Sequence, residues 1–349
     1  MSLAHLFRGR AGWLSGSGPD NDIAFSSRLR LARNLRGERF PQRASDEARR
    51  QVFARVVEAV KSCPALGNTV VIRMEEITKQ ERQLLVERRL ISPALSSRYQ
   101  GGVVIGEKEL VSVIVNEEDH LRIQVLLPGF DLGNCWKVID LVEGELSACL
   151  DFEFSPDLGY LTACPSNVGT GMRASVMLHL PGLTMSDELS RVLRAADKLG
   201  ITVRGMYGEG SGAVGHLFQF SNQSTLGCSE ERIISDLERI VGKIIAHERA
   251  VRQKMLGENR LFLEDRVFRS LGVLSHARLL NSEESLNLLS GLRLGRELGM
   301  LPELPTETVN DLFIVTQPAH LQALAGRDLE PPARDSYRAS LVRSRIRGE

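Results

Sequence analysis

Lysine is scarce in this chain of 349 residues: seven lysines stand against 37 arginines, and the 44 basic side chains are balanced by 44 acidic ones. A formal net charge of zero excludes a basic nucleic-acid-binding module, or an acidic disordered tail, as the account of the whole chain. Aromatic residues, at 5%, are too few to restore the nucleic-acid reading. There are five cysteines and no CxxC pair. So odd and scattered a set argues against a disulfide framework and against zinc, and reads as reduced thiols, with Cys63, Cys135, Cys149 and Cys228 buried. Long apolar runs are missing too: nowhere do about 18 consecutive apolar residues occur, and residues 1–20 lack a signal-peptide stretch. The expectation is a soluble cytoplasmic protein. Neither an internal repeat nor a low-complexity tract occurs, and no Gly-rich loop ends in the Lys-Ser or Lys-Thr of a Walker A motif. A genome-wide preference for arginine over lysine codons accounts for the arginine total, so only individually placed arginines carry an argument.

What is present is enough chain for two domains, each able to bury a core without staples. Residues 26–36, SSRLRLARNLR, alternate Arg28 and Arg30 with Leu29 and Leu31, which in a strand puts both arginines on one face. Ser45 caps an amphipathic helix with Val52, Val56, Val57 and Val60 at helical spacing. A strand over 70–74 follows, and Thr78 with Glu81 forms a capping box for a helix toward Leu90. The clearest β pattern lies in 103–127, where Val111, Val113 and Val115 alternate before NEEDH and Leu121, Ile123 and Val125 alternate after it. That pattern predicts an antiparallel hairpin with acidic residues at its turn. A helix over 132–150 and the loop CPSNVGTGMR lead to a helix capped by Ser186, then to strands over 201–206 and 214–220. From Ser229 onward the period is 3.6 throughout. A sheet-and-helix half, 1–255, followed by an all-helical half, 256–349, gives an α+β architecture, with the boundary near Gly257.

Singly, the motifs are weak. Clustered carboxylates such as NEED usually form a solvated hairpin tip, and the glycines of GEGSG can serve positive φ alone. Together they are specific: SSRLR, NEEDHLR, CPSNVGTGMRASV and RGMYGEG each place arginines, carboxylates or both at a strand end or Gly-rich loop of one domain. Phosphoryl transfer needs such parts, because its catalysis is mostly positioning and charge neutralisation. Paired carboxylates suit a cationic, proton-bearing nucleophile better than they suit phosphate, and a guanidinium fits.

This set of motifs resembles the guanidino (phosphagen) kinase family, most closely its bacterial protein-arginine kinase branch, along essentially the whole chain. The resemblance implies an antiparallel sheet with flanking helices, followed by a helical C-terminal domain. It implies that Glu118 and Glu209 grip the substrate guanidinium and that either acts as base. Arg28, Arg30, Arg122, Arg173 and Arg204 match the arginines that hold the phosphates of ATP, with Mg2+ bridging those phosphates and no protein metal ligand. Ser26, Ser27, Ser175, Tyr207 and Gly208 line the nucleotide or serve structure alone. Cys164 either positions the cation as a thiolate or shapes its loop. His120, His179 and His216 read as structural. Two positions depart from relatives: Met177 stands where the metabolite kinases have His, and Arg89 where the protein-arginine branch usually has His; both are candidate nucleotide contacts. Tyr207 replaces an arginine of the metabolite enzymes, which argues against small phosphagens.

Near the C-terminus, RDSYRA puts Arg334 and Arg338 at i and i+4 with Asp335 beside them, by spacing an exposed salt-bridged face. The resemblance implies instead that Arg334, Asp335, Arg338 and Ala339 form a phosphoarginine-binding pocket. It further implies protein substrates bearing arginine, a zinc-containing activator of the McsA type, a Clp ATPase and a heat-shock repressor as partners, and a homodimer or higher oligomer. Two other readings remain: a kinase of free arginine or a related guanidino metabolite, and a phosphoarginine-binding adaptor with an inactive kinase domain.

Overall fold

The computed structural model describes residues 9–97, 100–205 and 214–348. The first strand, β1 (Ala24–Arg33), carries the arginine alternation and lies at the centre of an antiparallel sheet. Ser45 caps α1 (Asp46–Lys61) by accepting the Ala48 N–H, and Phe53, Val56 and Val60 bury its apolar stripe. After β2 (Val70–Arg73), both bonds of the Thr78–Glu81 capping box are made at the start of α2 (Lys79–Glu87), and a short α3 (Pro93–Ser96) leads to β3 (Gly102–Ile105). The hairpin forms as the alternation predicts, with β4 (Val111–Val115) paired to β5 (Leu121–Pro128) around the NEEDH turn. Then come α4 (Leu132–Ser147), the two-residue strands β6 (Phe154–Ser155) and β7 (Gly159–Tyr160), and β8 (Met172–His179).

Here the structure departs from the pattern reading. The helix expected from Ser186 is α6 (Leu189–Lys198), which starts three residues later with Glu188 at its N-cap, and a short α5 (Pro181–Met185), opened by Pro181, precedes it and ends at Ser186. The strands β9 (Ile201–Gly205) and β10 (Leu217–Asn222) follow, and the second begins three residues later than the pattern suggests, because Gly215 (φ 69) and His216 (φ 53) are left-handed and incompatible with extended chain. Next, α7 (Glu230–Glu258) runs straight through Gly257 and breaks at Asn259, where α8 (Arg260–His276) begins. Four more helices complete the described chain: α9 (Ser282–Glu297), α10 (Thr306–Val315), α11 (Pro318–Ala325) and α12 (Pro331–Arg347).

Among the described residues the main sheet has eight strands in the order β2-β3-β4-β5-β1-β8-β10-β9, every neighbouring pair antiparallel. Alternation along the strands sends the two faces to different cores. Leu29, Leu31, Ile123, Val125 and Val176 point to α1, α4 and α7. Phe25, Leu126, Met177 and Leu217 point the other way, into a core with Leu286, Leu289, Val309, Phe313 and Val342 of the C-terminal helices. The helical region therefore covers one end of the sheet's second face instead of standing apart. The rest of that face carries the chemistry. Cys63 and Cys135 are buried as expected, but Cys149, just past the end of α4, is exposed, and Cys228, just before α7, is half-buried.

Candidate active site

The strand register assembles the site. On β1, Arg28 and Arg30 face the same way; across β5 they lie opposite Leu126 and Gln124, with Arg122 opposite Ala32 two positions on. On the other side, Arg28 pairs with Ser175 and Arg30 with Arg173 of β8. Gln219 of β10 is opposite Met177, and Arg204 of β9 is opposite Gln219. Because side chains alternate with period two, this register puts Arg28, Arg30, Arg122, Arg173 and Arg204 on one surface. They line a cavity of about 720 Å3 with Arg89, Gln124 and Gln219, closed by α2 and by Ile314, Gln317 and Pro318 from the turn between α10 and α11. Ser26, Ser175 and Met177 border a narrow slot beside it, together with Arg28 and Arg89.

The electrostatics are those of an anion site. Burial, then Arg89, Arg173 and Arg122, push the Arg28 guanidinium down to about 9. Burial, Arg28, Arg122 and Arg173 hold Arg30 well below its ordinary value, with Glu117 alone opposing them. A guanidinium keeps its proton at neutral pH, so the depression reflects burial first and then the mutual repulsion of the arginines, which a polyanion would relieve. Arg28 donates to Gln219 (3.0 Å) and Arg173 to Ser221 (2.9 Å), neutral acceptors that orient the forks. Arg30 Nε has no partner among the described residues.

The NEED turn is not the solvated tip that such sequences usually make. Asn116 turns the chain with φ 58, and its side chain donates to the Arg49 and Gln100 carbonyls. Glu117 is buried, paired with Arg122 and accepting from Ser92. Asp119 is buried and accepts from Asn34 (2.7 Å) and from the Ala163 N–H (2.7 Å), which fastens the turn to the loop that opens at Cys164. His120 is structural: its carbonyl accepts the Asn116 N–H across the turn, and its ring bonds the Leu35 N–H (3.1 Å) and the Arg39 carbonyl (3.0 Å). Glu118 alone keeps an exposed carboxylate, 40% accessible and 3.4 Å from Arg122. Cys164 Sγ lies 3.0 Å from Ser166 Oγ in the adjoining loop. A solvent-accessible carboxylate, held at one oxygen by Arg122, thus stands at the edge of an arginine cluster.

Not every expected residue joins this cluster. Ser27 faces the opposite way: its hydroxyl donates to the Gly129 carbonyl and accepts from the Asp131 N–H, both at 2.9 Å. Tyr207, Gly208 and Glu209 lie outside the described residues. Glu117, Asp119, Asn34, Gln219 and Gln317 escaped the pattern reading; Gln219 alone had a signal, since it sits in register with Met177 and Arg204. His179 and His216 are core groups, sharing Ser290 Oγ at 2.7 Å each.

The C-terminal motif is separate. Arg338, read from spacing as part of an exposed face, is 1% exposed and donates to the Thr316 and Leu280 carbonyls (2.8 and 2.6 Å), Asp335 (2.6 Å) and Ser282 (2.9 Å). Ala339 is buried beneath it, while Arg334 and Asp335 remain half-buried. The helix α12 packs onto α8, α10 and α11, which draws this turn inward.

An antiparallel sheet that aims five arginines into one cavity, beside a carboxylate turn that leaves one glutamate for a cation, is built for phosphoryl transfer to a guanidino group. A sequence profile described as ATP:guanido phosphotransferase, C-terminal catalytic domain, matches residues 51–251, and one described as the protein-arginine kinase McsB C-terminal domain matches residues 260–349. A protein-arginine kinase of Pelotomaculum thermopropionicum is 48% identical over 335 residues, 95% of this chain and 94% of its own. One from Bacillus pumilus is 45% identical over 352 residues, 100% of this chain and 97% of its own. Among solved structures, the duplicated taurocyamine kinase from Schistosoma mansoni with bound transition-state-analogue components matches with a TM-score of 0.59 and 27% identity over 67% of this chain, which spans 34% of that enzyme. The chain belongs to the ATP:guanido phosphotransferase family.

Proposed function

We propose that the protein transfers the γ-phosphoryl group of ATP to arginine side chains of proteins, giving phosphoarginine. The observation that carries this reading is the arginine-lined cavity beside the NEED turn, where Glu118 keeps its carboxylate accessible. Arg28, Arg30, Arg122, Arg173 and Arg204 neutralise the phosphates, and Mg2+, which would arrive with the nucleotide, would add positive charge there; no cluster of three metal-binding side chains occurs among the described residues. Glu118 orients the acceptor guanidinium in line with the γ-phosphorus. As the N–P bond forms and the bond from phosphorus to the leaving ADP oxygen breaks, the attacking nitrogen gives up a proton to Glu118 or Glu209. Cys164 stands where a thiolate would add negative charge near the cation.

Ser26, Ser175, Met177 and Arg89 serve the nucleotide, and Tyr207 and Gly208 belong to the same strand-end segment by sequence. Arg334 and Asp335 recognise phosphoarginine, with Arg338, tied to the Thr316 and Leu280 carbonyls, holding Asp335 in place above the buried Ala339. The unit boundary falls near residue 255. In the cytoplasm the marked proteins go to a Clp ATPase, a heat-shock repressor is silenced, and a zinc-containing activator of the McsA type stimulates the enzyme. An oligomer forms through the helical region, where Leu261 is 80% exposed and Phe262 and Phe268 are also exposed on α8. The test is incubation with Mg2+ and γ-labelled ATP, offering an unfolded protein and free L-arginine in parallel. Acid-labile label on protein alone is the expected result; label on free arginine supports a metabolite kinase, and no label, with or without an activator, supports an adaptor.

A further inference from the structure

The C-terminal helices reach the nucleotide cavity. Ile314, Gln317 and Pro318 form its wall with Val86 and Glu87 of α2. That wall is braced from behind: Glu87 accepts the N–H groups of Ala319 (2.9 Å) and His320 (3.0 Å) and contacts the His320 ring at 2.8 Å, while Arg338 donates to the Thr316 carbonyl. Gln317 is 5% exposed, and its Nε2 donates to the Phe313 carbonyl at 3.0 Å. A backbone carbonyl can only accept, so this bond fixes the amide and leaves Oε1 as an acceptor with no partner among the described residues. The cavity lining is therefore of two chemical kinds. Its arginines suit a triphosphate. Val86, Ile314 and Pro318 suit the faces of a planar base, and a fixed acceptor suits its polar edge.

We infer that the C-terminal helical region completes the nucleotide site, and that Gln317 Oε1 accepts a hydrogen bond from the exocyclic amine of adenine. This deepens the phosphoryl-donor reading above and rests on it. Guanine carries a carbonyl oxygen where adenine carries the amine, so GTP would set one acceptor against another. A site built to accept a hydrogen bond rejects the analogue lacking the donor far more strongly than an apolar pocket does.

The test uses the full chain without an acceptor protein: ATP and GTP each displace a fluorescent ATP analogue from wild type, Gln317→Met and Gln317→Glu. Gln317→Met is expected to weaken ATP about tenfold and leave GTP within about twofold, so that the preference collapses, whereas Gln317→Glu, which retains acceptors but loses the N–H bonded to the Phe313 carbonyl, keeps part of it. A folding defect weakens both nucleotides together and leaves the ratio intact. An unchanged ratio in a Gln317→Met protein that melts as wild type does, or no ATP preference in wild type, overturns the inference. Wild type that binds ATP with the expected preference yet transfers no phosphoryl group overturns the functional reading and leaves the assignment of Gln317 standing.

Discussion

Arg30 and Arg338 are both arginines drawn out of water, and they are held in opposite ways. Around Arg338 every hydrogen-bond partner accepts, two backbone carbonyls, a hydroxyl and a carboxylate; burial lowers its pKa, and Asp335 pulls it back. Around Arg30 the close charges are mostly cations, and Nε finds no partner among the described residues. The first is a strut joining α12 to α9 and to the end of α10. The second is held ready for an anion. The difference shows that burial of an arginine says little by itself; the sign of its surroundings decides whether it serves the fold or a ligand.

The largest effect expected from this contrast is on activity. Glu118→Gln keeps the shape of the turn but removes its one accessible carboxylate, and transfer should fall by about 100-fold or more while nucleotide affinity stays within about threefold. Single-turnover labelling and ATP titration separate the two. Next comes stability: Arg338→Ala strips the Thr316 and Leu280 carbonyls of their donor in a buried place, and chemical denaturation should show a loss of about 2–4 kcal/mol. Asp119→Ala should behave as a positioning change, slowing turnover by about tenfold with little change in ATP KM, because Asp119 ties the turn to Ala163 rather than touching phosphate.

The smallest effect is on pH. Burial, then Arg266, pushes His216 down to about 4, against about 6.5 in the unfolded chain. The neutral ring is the folded form, so its contribution is complete above about pH 6.5 and is lost as pH falls towards 4, where the unfolded chain takes up the proton first. Thermal melts between pH 7 and 4 should record this loss, and His216→Gln should flatten that part of the profile.

Much of the sheet was legible because its information is local. The alternation around Arg28 and Arg30, the caps Ser45 and Thr78–Glu81, and the paired valine and leucine runs each follow from neighbours two to four residues away. The convergence of Arg173 and Arg204 with Arg28 came from family resemblance; the physical reason, a shared register across four strands, is non-local. Burial of Glu117 and Asp119 could not be read from NEED, since their partners Ser92, Asn34 and Ala163 lie 25 to 85 residues away. The packing of α9, α10 and α12 over the sheet's second face was hidden for the same reason, and with it the part Gln317 plays in the cavity wall.

The measurement that bears most directly on the contrast is a set of thermal melts of wild type, Arg30→Ala and Arg338→Ala, each with and without Mg2+-ATP. Arg30→Ala should melt at or above wild type without nucleotide and lose most of the rise that nucleotide produces, whereas Arg338→Ala should melt lower and still rise. An Arg30→Ala protein that loses stability on its own, or rises as fully as wild type with ATP, would contradict the assignment of this arginine cluster to the phosphates.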